Sequence, residues 1–306
     1  MRNEIFYPSS DGLTQIHAIE WIPEGEIKGI YQICHGMAEH MERYDAFATY
    51  LSSNGYYVVG HDHLGHGKSL ISLENKGFFP VERGNDCLIA DIHKLRLLTE
   101  EKQPGLPYYI MGHSMGSFLV RQYLGVHGEG LSGAIIMGTG DQPELILHAG
   151  KFLCKMISVF KGWKYKSKLV NDISIGSYDK AFANSKEGTS WLSKDPVIVN
   201  KYEEDPMCGF VFTLSGFYHM YDGMLKMKKQ ESLGMVPKEL PIFFVAGADD
   251  PVGNSGKLVE KTYQNYVNCG IKNVSIKLYE GDRHEILNEL DKEVVYEDIL
   301  NFLSLN

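Results

Sequence analysis

Short apolar runs alternate along most of the chain with stretches in which apolar residues recur every three or four positions. The apolar runs, which predict buried strands, are 29–34, 56–59, 107–111, 133–137, 241–245 and 274–279, preceded by two shorter strands within 4–22. The periodic stretches, which predict helices, are 43–53, 86–101, 115–127, 257–267 and 293–303. Buried strands that alternate with helices are typical of a mostly parallel, doubly wound sheet covered on both faces.

This alternation stops between residues 141 and 233. Apolar residues on one face predict an amphipathic helix over 144–160, and the residues after it are irregular, aromatic and rich in turn formers. The strand and helix pattern returns at Leu240. We therefore expect an α/β core made of 1–140 and 234–306, interrupted by a mainly helical insertion at 141–233, which we call the cap segment.

Composition excludes several classes of protein. The 306 residues include 30 Lys or Arg and 39 Asp or Glu, a formal charge of −9, which argues against nucleic acid as a partner because phosphate binding needs a basic face. The five cysteines lie far apart and form no Cys-x-x-Cys pair, which favours a reducing compartment. The first residues lack the apolar core of a signal peptide, so we expect a cytoplasmic protein.

The charge is unevenly distributed. The cap segment carries thirteen lysines and eleven acidic residues, and six of these lysines fall within 151–168, where no acidic residue occurs. Next to the apolar face of the helix at 144–160, this pattern suggests a lid that touches a membrane surface transiently. The alternative is an ordinary solvated helix face.

The strongest local motif is Gly112-His113-Ser114-Met115-Gly116, a G-x-S-x-G sequence. It lies between the predicted strand at 107–111 and the predicted helix at 115–127. A serine on such a strand–turn–helix junction is typical of a nucleophile elbow, in which glycines allow a sharp turn that exposes the hydroxyl. Ser114 is therefore the candidate nucleophile.

A serine nucleophile needs an imidazole to accept its proton and a carboxylate to orient that imidazole. In nucleophile-elbow enzymes the chain order is serine, acid, histidine. His284 follows the last predicted strand, and Asp249 and Asp250 follow the strand at 241–245. We favour Asp250 because Pro251 forces an extended turn there, with Asp249 as the alternative.

Two backbone amides are candidates for an oxyanion hole. His35-Gly36-Met37 follows the first strand of the parallel set, where such enzymes place one N–H group facing the nucleophile. The second N–H group belongs to the residue after the serine. We therefore assign the amides of Met37 and Met115 to this role and expect His35 to be structural.

A rival site lies within 60–69. Three histidines and an aspartate between residues 61 and 66 could ligate zinc, and 67–69 ends like a phosphate-binding loop. Each interpretation fails at one position. Gly65 stands where the zinc pattern needs aspartate, and Asp62 stands where the phosphate-binding loop needs glycine. We therefore expect a hydrogen-bonded turn, no metal and no cofactor.

Together these motifs resemble the monoacylglycerol lipase and lysophospholipase branch of the α/β-hydrolase superfamily, which is grouped with the serine aminopeptidases. The residues that carry the resemblance are His35-Gly36-x-x-Glu39-His40, His61-Asp62-His63-x-Gly65-His66-Gly67-x-Ser69, Gly112 to Gly116, Gly247-x-x-Asp250-Pro251-Val252, Glu280-Gly281-x-x-His284-Glu285, Trp191 to Pro196 and Asp205 to Phe210. The resemblance implies an α/β-hydrolase fold and hydrolysis of carboxylic esters by Ser114, Asp250 and His284. Ala38 is a departure, because the lipase motif usually has glycine there.

The aromatic cap segment suggests an apolar pocket for an acyl chain. The side chains predicted to bind substrate are Phe152, Trp191, Phe210, Phe217 and Tyr221. We expect a serine carboxylester hydrolase that acts, through an acyl-enzyme, on small lipid-like esters such as monoacylglycerols or lysophospholipids. One alternative is a serine aminopeptidase or amidase, which would use a cap carboxylate among 203–205 to hold the substrate ammonium. The other is a ligand-binding protein of the same fold.

Overall fold

The computed structural model describes residues 1–176, 178–182 and 190–306. Within these residues eight strands form one sheet in the order β1-β2-β4-β3-β5-β6-β7-β8. The strands are β1 (Arg2–Pro8), β2 (Gln15–Trp21), β3 (Gly29–Cys34), β4 (Tyr56–His61), β5 (Tyr108–His113), β6 (Gly133–Met137), β7 (Ile242–Gly247) and β8 (Val274–Tyr279). β1 and β2 are antiparallel to their neighbours, and β3 to β8 run parallel.

Helices connect the parallel strands, as the periodicity predicts. They are α1 (Asp45–Ser53), α2 (Gly84–Lys102), α3 (Met115–His127), α4 (Glu144–Lys161), α5 (Lys168–Ser174), α6 (Pro196–Glu204), α7 (Leu214–Ser232), α8 (Lys257–Asn268) and α9 (Lys292–Leu305). The predicted α/β class is confirmed by this sheet. In the described part of the chain, none of the helices is long and apolar enough to cross a membrane.

Both faces of the sheet are covered because neighbouring residues of each strand point to opposite sides. In β3, Ile30 belongs to one buried apolar cluster, which includes side chains of α2, α3 and α8. Its neighbour Tyr31 belongs to a second cluster, which includes side chains of α1 and α9. The central strands are therefore buried throughout, which explains their near-continuous apolar sequences.

The chain between β6 and β7 carries α4 to α7. α4 packs against α7, and α7 packs against α3 of the core. Arg121 on α3 also forms an ion pair with Glu231 near the end of α7, at 2.8 Å. The division into core and cap segment at residues 141 and 233 stays a prediction, and residues 177 and 183–189 of that segment lie outside the described residues.

The register of the parallel strands brings their carboxyl ends to one edge of the sheet. Cys34 pairs with Gly112, His113 pairs with Met137, and Gly247 pairs with Tyr279. The loops that follow β3, β5, β7 and β8 therefore meet at this edge, where ligands bind in open α/β sheets.

Candidate active site

Ser114 lies on a tight turn between β5 and α3. The positions two residues before it and two residues after it have no room for a side chain. Its backbone is in the left-handed region, with φ 54° and ψ −119°. A Cβ atom on Gly112 would lie 2.2 Å from the carbonyl oxygen of Gly116, and one on Gly116 would lie 2.1 Å from the carbonyl oxygen of Cys34. Both flanking positions therefore require glycine, and the serine sits on a strained turn of the kind that nucleophile elbows use.

His284 and Asp250 form a buried pair. Nδ1 of His284 lies 2.9 Å from Oδ2 of Asp250, and the other carboxylate oxygen accepts a hydrogen bond from the Val252 amide at 2.9 Å. Both side chains are almost completely buried, whereas Asp249 is exposed. Nε2 of His284 is buried without a hydrogen-bond partner among the described residues. The geometry thus favours Asp250 over Asp249 as the residue that orients His284, and Nε2 remains available to another group.

Aromatic side chains also pack against the imidazole ring of His284. The ring of Trp191 lies against it, with a centroid separation of 4.7 Å, and the His284 amide donates to the Trp191 carbonyl at 3.3 Å. The ring of His113 lies at the same separation of 4.7 Å. A Cβ atom on Gly138 would approach Cε1 of His284 to 3.1 Å. These contacts restrict the ring to one orientation.

The loop after β3 lies beside Ser114, since a Cβ atom on Gly36 would be 3.1 Å from the Cβ atom of Ser114. The amides on either side are occupied, since Gly36 donates to the Glu39 carboxylate at 2.5 Å and Ala38 donates to Nε2 of His66 at 3.2 Å. Met37, Ser114 and Met115 all line one cavity. Ala38 has a φ of 53°, a left-handed conformation that favours glycine, which explains why alanine is unusual at this position.

A buried charged network below this loop was not singled out by the motif analysis. Arg43 donates to Glu39 at 2.6 Å and makes two hydrogen bonds to Glu285, at 2.7 and 2.6 Å. Tyr44 donates to Glu39 at 2.8 Å, and Nδ1 of His113 lies 3.3 Å from the same carboxylate. The glutamates belong to the quoted family motifs, but only the structure shows that one arginine joins them.

Hydrogen bonds and charges within this network shift the pKa values of Glu39 and His113. Burial raises the pKa of the Glu39 carboxyl, but the hydrogen bond from His113 and the charge of Arg43 outweigh burial and hold that pKa well below its usual range. Burial lowers the pKa of His113, yet the hydrogen bond and charge of Glu39 raise it overall. The site therefore keeps Glu39 ionised and favours a proton on His113, next to Ser114.

The histidines at 61, 63 and 66 are buried core residues. Nδ1 of His63 lies 3.1 Å from Nε2 of His61, and the His66 ring packs between Phe79 and Phe212. Burial, followed by the neighbouring His35, lowers the pKa of His61 and of His66 to about 3. Within the described residues these three histidines do not form a group with metal-binding spacing. All three side chains are completely buried.

A cavity of about 770 Å³ opens above Ser114 and His284. Most of its wall is apolar and comes from α4, α7 and the loops at the sheet edge. Representative wall residues are Phe118, Ile146, Leu147, Leu153, Met220 and Met224. An apolar wall with a few polar groups at one end is typical of a site for an acyl chain.

Three of the five predicted substrate-binding side chains line this cavity, namely Trp191, Phe210 and Tyr221. Phe152 and Phe217 are not among the described lining residues, and their role in substrate binding stays a prediction. Phe152 is 66% exposed because it lies on the opposite face of α4 from the cavity wall. Phe217 is fully buried between Phe212 and Tyr221 and contributes to the core. Aromatic composition alone does not distinguish these three environments.

Known proteins resemble the chain over nearly its whole length. The family described as serine aminopeptidase, S33, matches residues 25–291. The monoacylglycerol lipase of Mycolicibacterium smegmatis is 25% identical, covering 99% of this chain and 97% of that protein. The monoglyceride lipase of Saccharomyces cerevisiae is 26% identical, covering 97% and 91%. A crystal structure of a thermostable carboxyl esterase from Bacillus coagulans is 31% identical, covers 99% and 98%, and has a TM-score of 0.89.

The fold and these likenesses define an α/β-hydrolase of the monoglyceride lipase and esterase type. The chain belongs to the serine aminopeptidase S33 family. The resemblance drawn from the sequence motifs is thereby confirmed, and the protein is an enzyme of the hydrolase class.

Proposed function

We propose that the protein hydrolyses single-chain acyl esters, such as monoacylglycerols or lysophospholipids, with Ser114, His284 and Asp250 as its catalytic triad. The observation that carries the proposal is the apolar cavity of about 770 Å³ whose wall includes both Ser114 and His284. A cavity of this character accommodates one acyl chain, with the ester carbonyl at the serine. A cytoplasmic location agrees with the free thiols of all five cysteines.

In this mechanism the Ser114 hydroxyl attacks the ester carbonyl while Nε2 of His284 takes its proton. Asp250 holds Nδ1 of the imidazole and stabilises the imidazolium that forms. The amides of Met37 and Met115 stabilise the tetrahedral oxyanion. His284 then gives its proton to the leaving alcohol, and water hydrolyses the acyl-enzyme by the same steps in reverse.

The charges around the cavity favour an ester over an N-terminal amino acid as substrate. An aminopeptidase would need a carboxylate facing the substrate ammonium. Glu203 and Glu204 are exposed, and Asp205 is hydrogen-bonded to His40. The two described glutamates that line the cavity, Glu39 and Glu285, are both paired with Arg43.

Hydrolysis of p-nitrophenyl esters from C2 to C16, monoolein, a lysophospholipid and an amino-acid anilide tests this proposal. We expect turnover of the esters and of at least one single-chain lipid, and a loss of several decades in kcat for Ser114→Ala. Ester turnover that persists in Ser114→Ala would refute the assigned nucleophile. Cleavage of the anilide alone would favour the aminopeptidase alternative.

We also propose that α4 and α5 bring the cavity to a membrane surface. Large apolar side chains of this region are exposed, among them Leu145, Phe152, Val159, Phe160, Leu169 and Ile173. Lys155 and Lys161 lie on the same helix as the first four and are exposed to solvent. Exposed apolar residues flanked by lysines match the interface of a bilayer that contains anionic lipid.

Sedimentation with phosphatidylcholine vesicles, with and without phosphatidylglycerol, tests this contact. The double variant Phe152→Glu and Phe160→Glu should lose vesicle binding while it retains turnover of a soluble C4 ester. Leu13→Glu, an equally exposed leucine in the β1–β2 turn, is the matched control and should bind like the wild type. Equal binding by the double variant would exclude this face as the contact.

A further inference from the structure

Three potential metal ligands meet where the loop after β3 touches the loop after α6. A ring nitrogen of His40, a carboxylate oxygen of Asp205 and Sγ of Cys208 all lie within 4.8 Å of one another. Across the described ranges, this is the one group of three His, Cys, Asp or Glu residues with such spacing. The sequence gives no signal for it, because His40 and Asp205 are 165 positions apart.

Hydrogen bonds hold the three candidate ligands in place. The Met207 amide donates to Oδ1 of Asp205 at 2.7 Å, and the Cys208 amide donates to the Asp205 carbonyl at 2.9 Å. A carboxylate oxygen of Asp205 and Sγ of Cys208 lie within 4.8 Å of each other in this turn. Oδ2 lies 2.8 Å from Nε2 of His40, and the Met41 amide anchors the histidine loop on Asp62 at 2.8 Å.

The surrounding charges and the exposure of the ligands suit a cation. Arg43, the nearby positive group, is already paired with Glu39 and Glu285. The side chains of His40 and Asp205 are 11% and 31% exposed, which gives an ion a route from solvent. Burial raises the pKa of the Cys208 thiol, so a bound cation has to displace the thiol proton.

We propose that His40, Asp205 and Cys208 form a binding site for a thiophilic divalent cation of the Zn²⁺ type. Imidazole, carboxylate and thiolate are the ligands that zinc prefers, and water completes a four-coordinate site. Tetrahedral zinc places its ligand atoms about 3.5 Å apart. Side-chain rotations would therefore widen the 2.8 Å separation of His40 and Asp205 and bring the other distances, now within 4.8 Å, to this value.

Binding of the cation breaks the S–H bond of Cys208 and forms a metal–sulfur bond, and the thiol proton passes to solvent. Nε2 of His40 releases to solvent the proton that it donates to Asp205 and binds the metal, while Nδ1 takes up a proton from solvent, so the ring stays neutral. No oxidant or reductant takes part.

The proposed metal site lies where the cap segment contacts the loop after β3, which carries Met37. The Gly209 amide, one residue after Cys208, donates to the Ala38 carbonyl at 3.0 Å. A cation at His40, Asp205 and Cys208 therefore clamps the cap segment to the loop that carries Met37. This role is separate from ester hydrolysis, and its test does not depend on which substrate the enzyme takes.

Titration of the reduced, metal-free protein with Co²⁺, followed by competition with Zn²⁺, tests the proposal. We expect one equivalent of Co²⁺ to produce a sulfur-to-metal charge-transfer band, Zn²⁺ to abolish it, and Zn²⁺ to raise Tm. Cys208→Ser should lose the band and the Tm rise. Cys269→Ser, which removes the exposed thiol elsewhere, is the matched control and should behave like the wild type.

Asp205→Asn provides a second variant, which keeps an oxygen acceptor for the Met207 amide and places an amide NH2 group opposite Nε2 of His40. It should retain the Tm of the metal-free wild type and bind Co²⁺ more weakly. A wild type without a saturable band, or a band that survives in Cys208→Ser or disappears in Cys269→Ser, would overturn the proposal.

Discussion

Arg43 and Glu285 are joined by two hydrogen bonds of 2.7 and 2.6 Å, although 242 positions separate them in the chain. The same guanidinium donates to Glu39, two residues after Met37. Because Glu285 directly follows His284, Arg43 connects the proposed oxyanion loop with the loop of the proposed catalytic base. Its planar, two-pronged geometry fixes the spacing of both loops.

Arg43→Lys should therefore lower kcat by about a hundredfold with a much smaller change in KM, because lysine cannot bind both glutamates in the same plane and small displacements of reacting groups are costly. Steady-state kinetics on a soluble ester measures this. Arg96→Lys, another partly buried arginine in an ion pair on α2, is the control and should leave kcat nearly unchanged. Equal kinetics for Arg43→Lys and the wild type would show that the loops keep their spacing without Arg43.

Asp250→Asn should reduce kcat by about 10⁴-fold, since the amide favours the wrong tautomer of His284 and cannot stabilise an imidazolium. Asp249→Asn is the matched control. Its side chain is exposed, so we expect nearly full turnover. Comparison of the two variants on one ester measures the difference, and a large loss only for Asp249→Asn would reverse the assignment of the acid.

The strained turn at Ser114 predicts a difference between two inactive variants. Both Ser114→Ala and Ser114→Gly should lose turnover. Glycine relieves the left-handed backbone, whereas alanine keeps the strain, so the free energy of unfolding should be higher for Ser114→Gly by about 1–3 kcal/mol. Urea unfolding gives this value. In an unstrained site glycine would be the less stable variant, and that order would contradict the interpretation.

The buried histidines predict a loss of stability in acid. The unfolded chain protonates His61 near its ordinary pKa of about 6.5, whereas burial lowers the folded-state pKa to about 3. Between these values the unfolded state binds more protons, so stability falls as the pH drops, by up to about 1.4 kcal/mol per pH unit for each such histidine.

Urea unfolding at pH 7.5 and pH 5 measures this slope. His61→Asn should be less stable than the wild type at pH 7.5 but lose less stability between the two pH values. His148→Asn removes an exposed histidine and should keep the wild-type slope. An unchanged slope in His61→Asn would mean that other groups determine the acid sensitivity.

The parts of the site that lie within local motifs were predictable from the sequence. Ser114 is flanked by glycines that the turn requires, and Asp250 and His284 follow strands whose apolar runs are unmistakable. Their convergence follows from parallel strands, which all end at one edge of the sheet. The hydrogen bonds from Arg43 to Glu39 and Glu285 were not predictable. They depend on the conformation of loops, and Glu285 is distant from Arg43 in the sequence.

Side-chain environments within the cap segment were predicted less well. Phe152, Phe217 and Tyr221 have similar aromatic character, yet one is exposed, one is in the core and one lines the cavity. Helical periodicity identifies faces but does not say which face meets the core, the cavity or solvent. That choice depends on how α4 and α7 pack against each other, which is a tertiary property.

The contact between Trp191 and His284 has a spectroscopic consequence. The two rings are 4.7 Å apart, so one of the three tryptophans of the chain lies beside the proposed base. A protonated imidazole quenches indole fluorescence at such distances. The emission of Trp191, isolated by replacing the other two tryptophans with phenylalanine, should therefore report the charge of His284 and any withdrawal of the cap segment, without an added label.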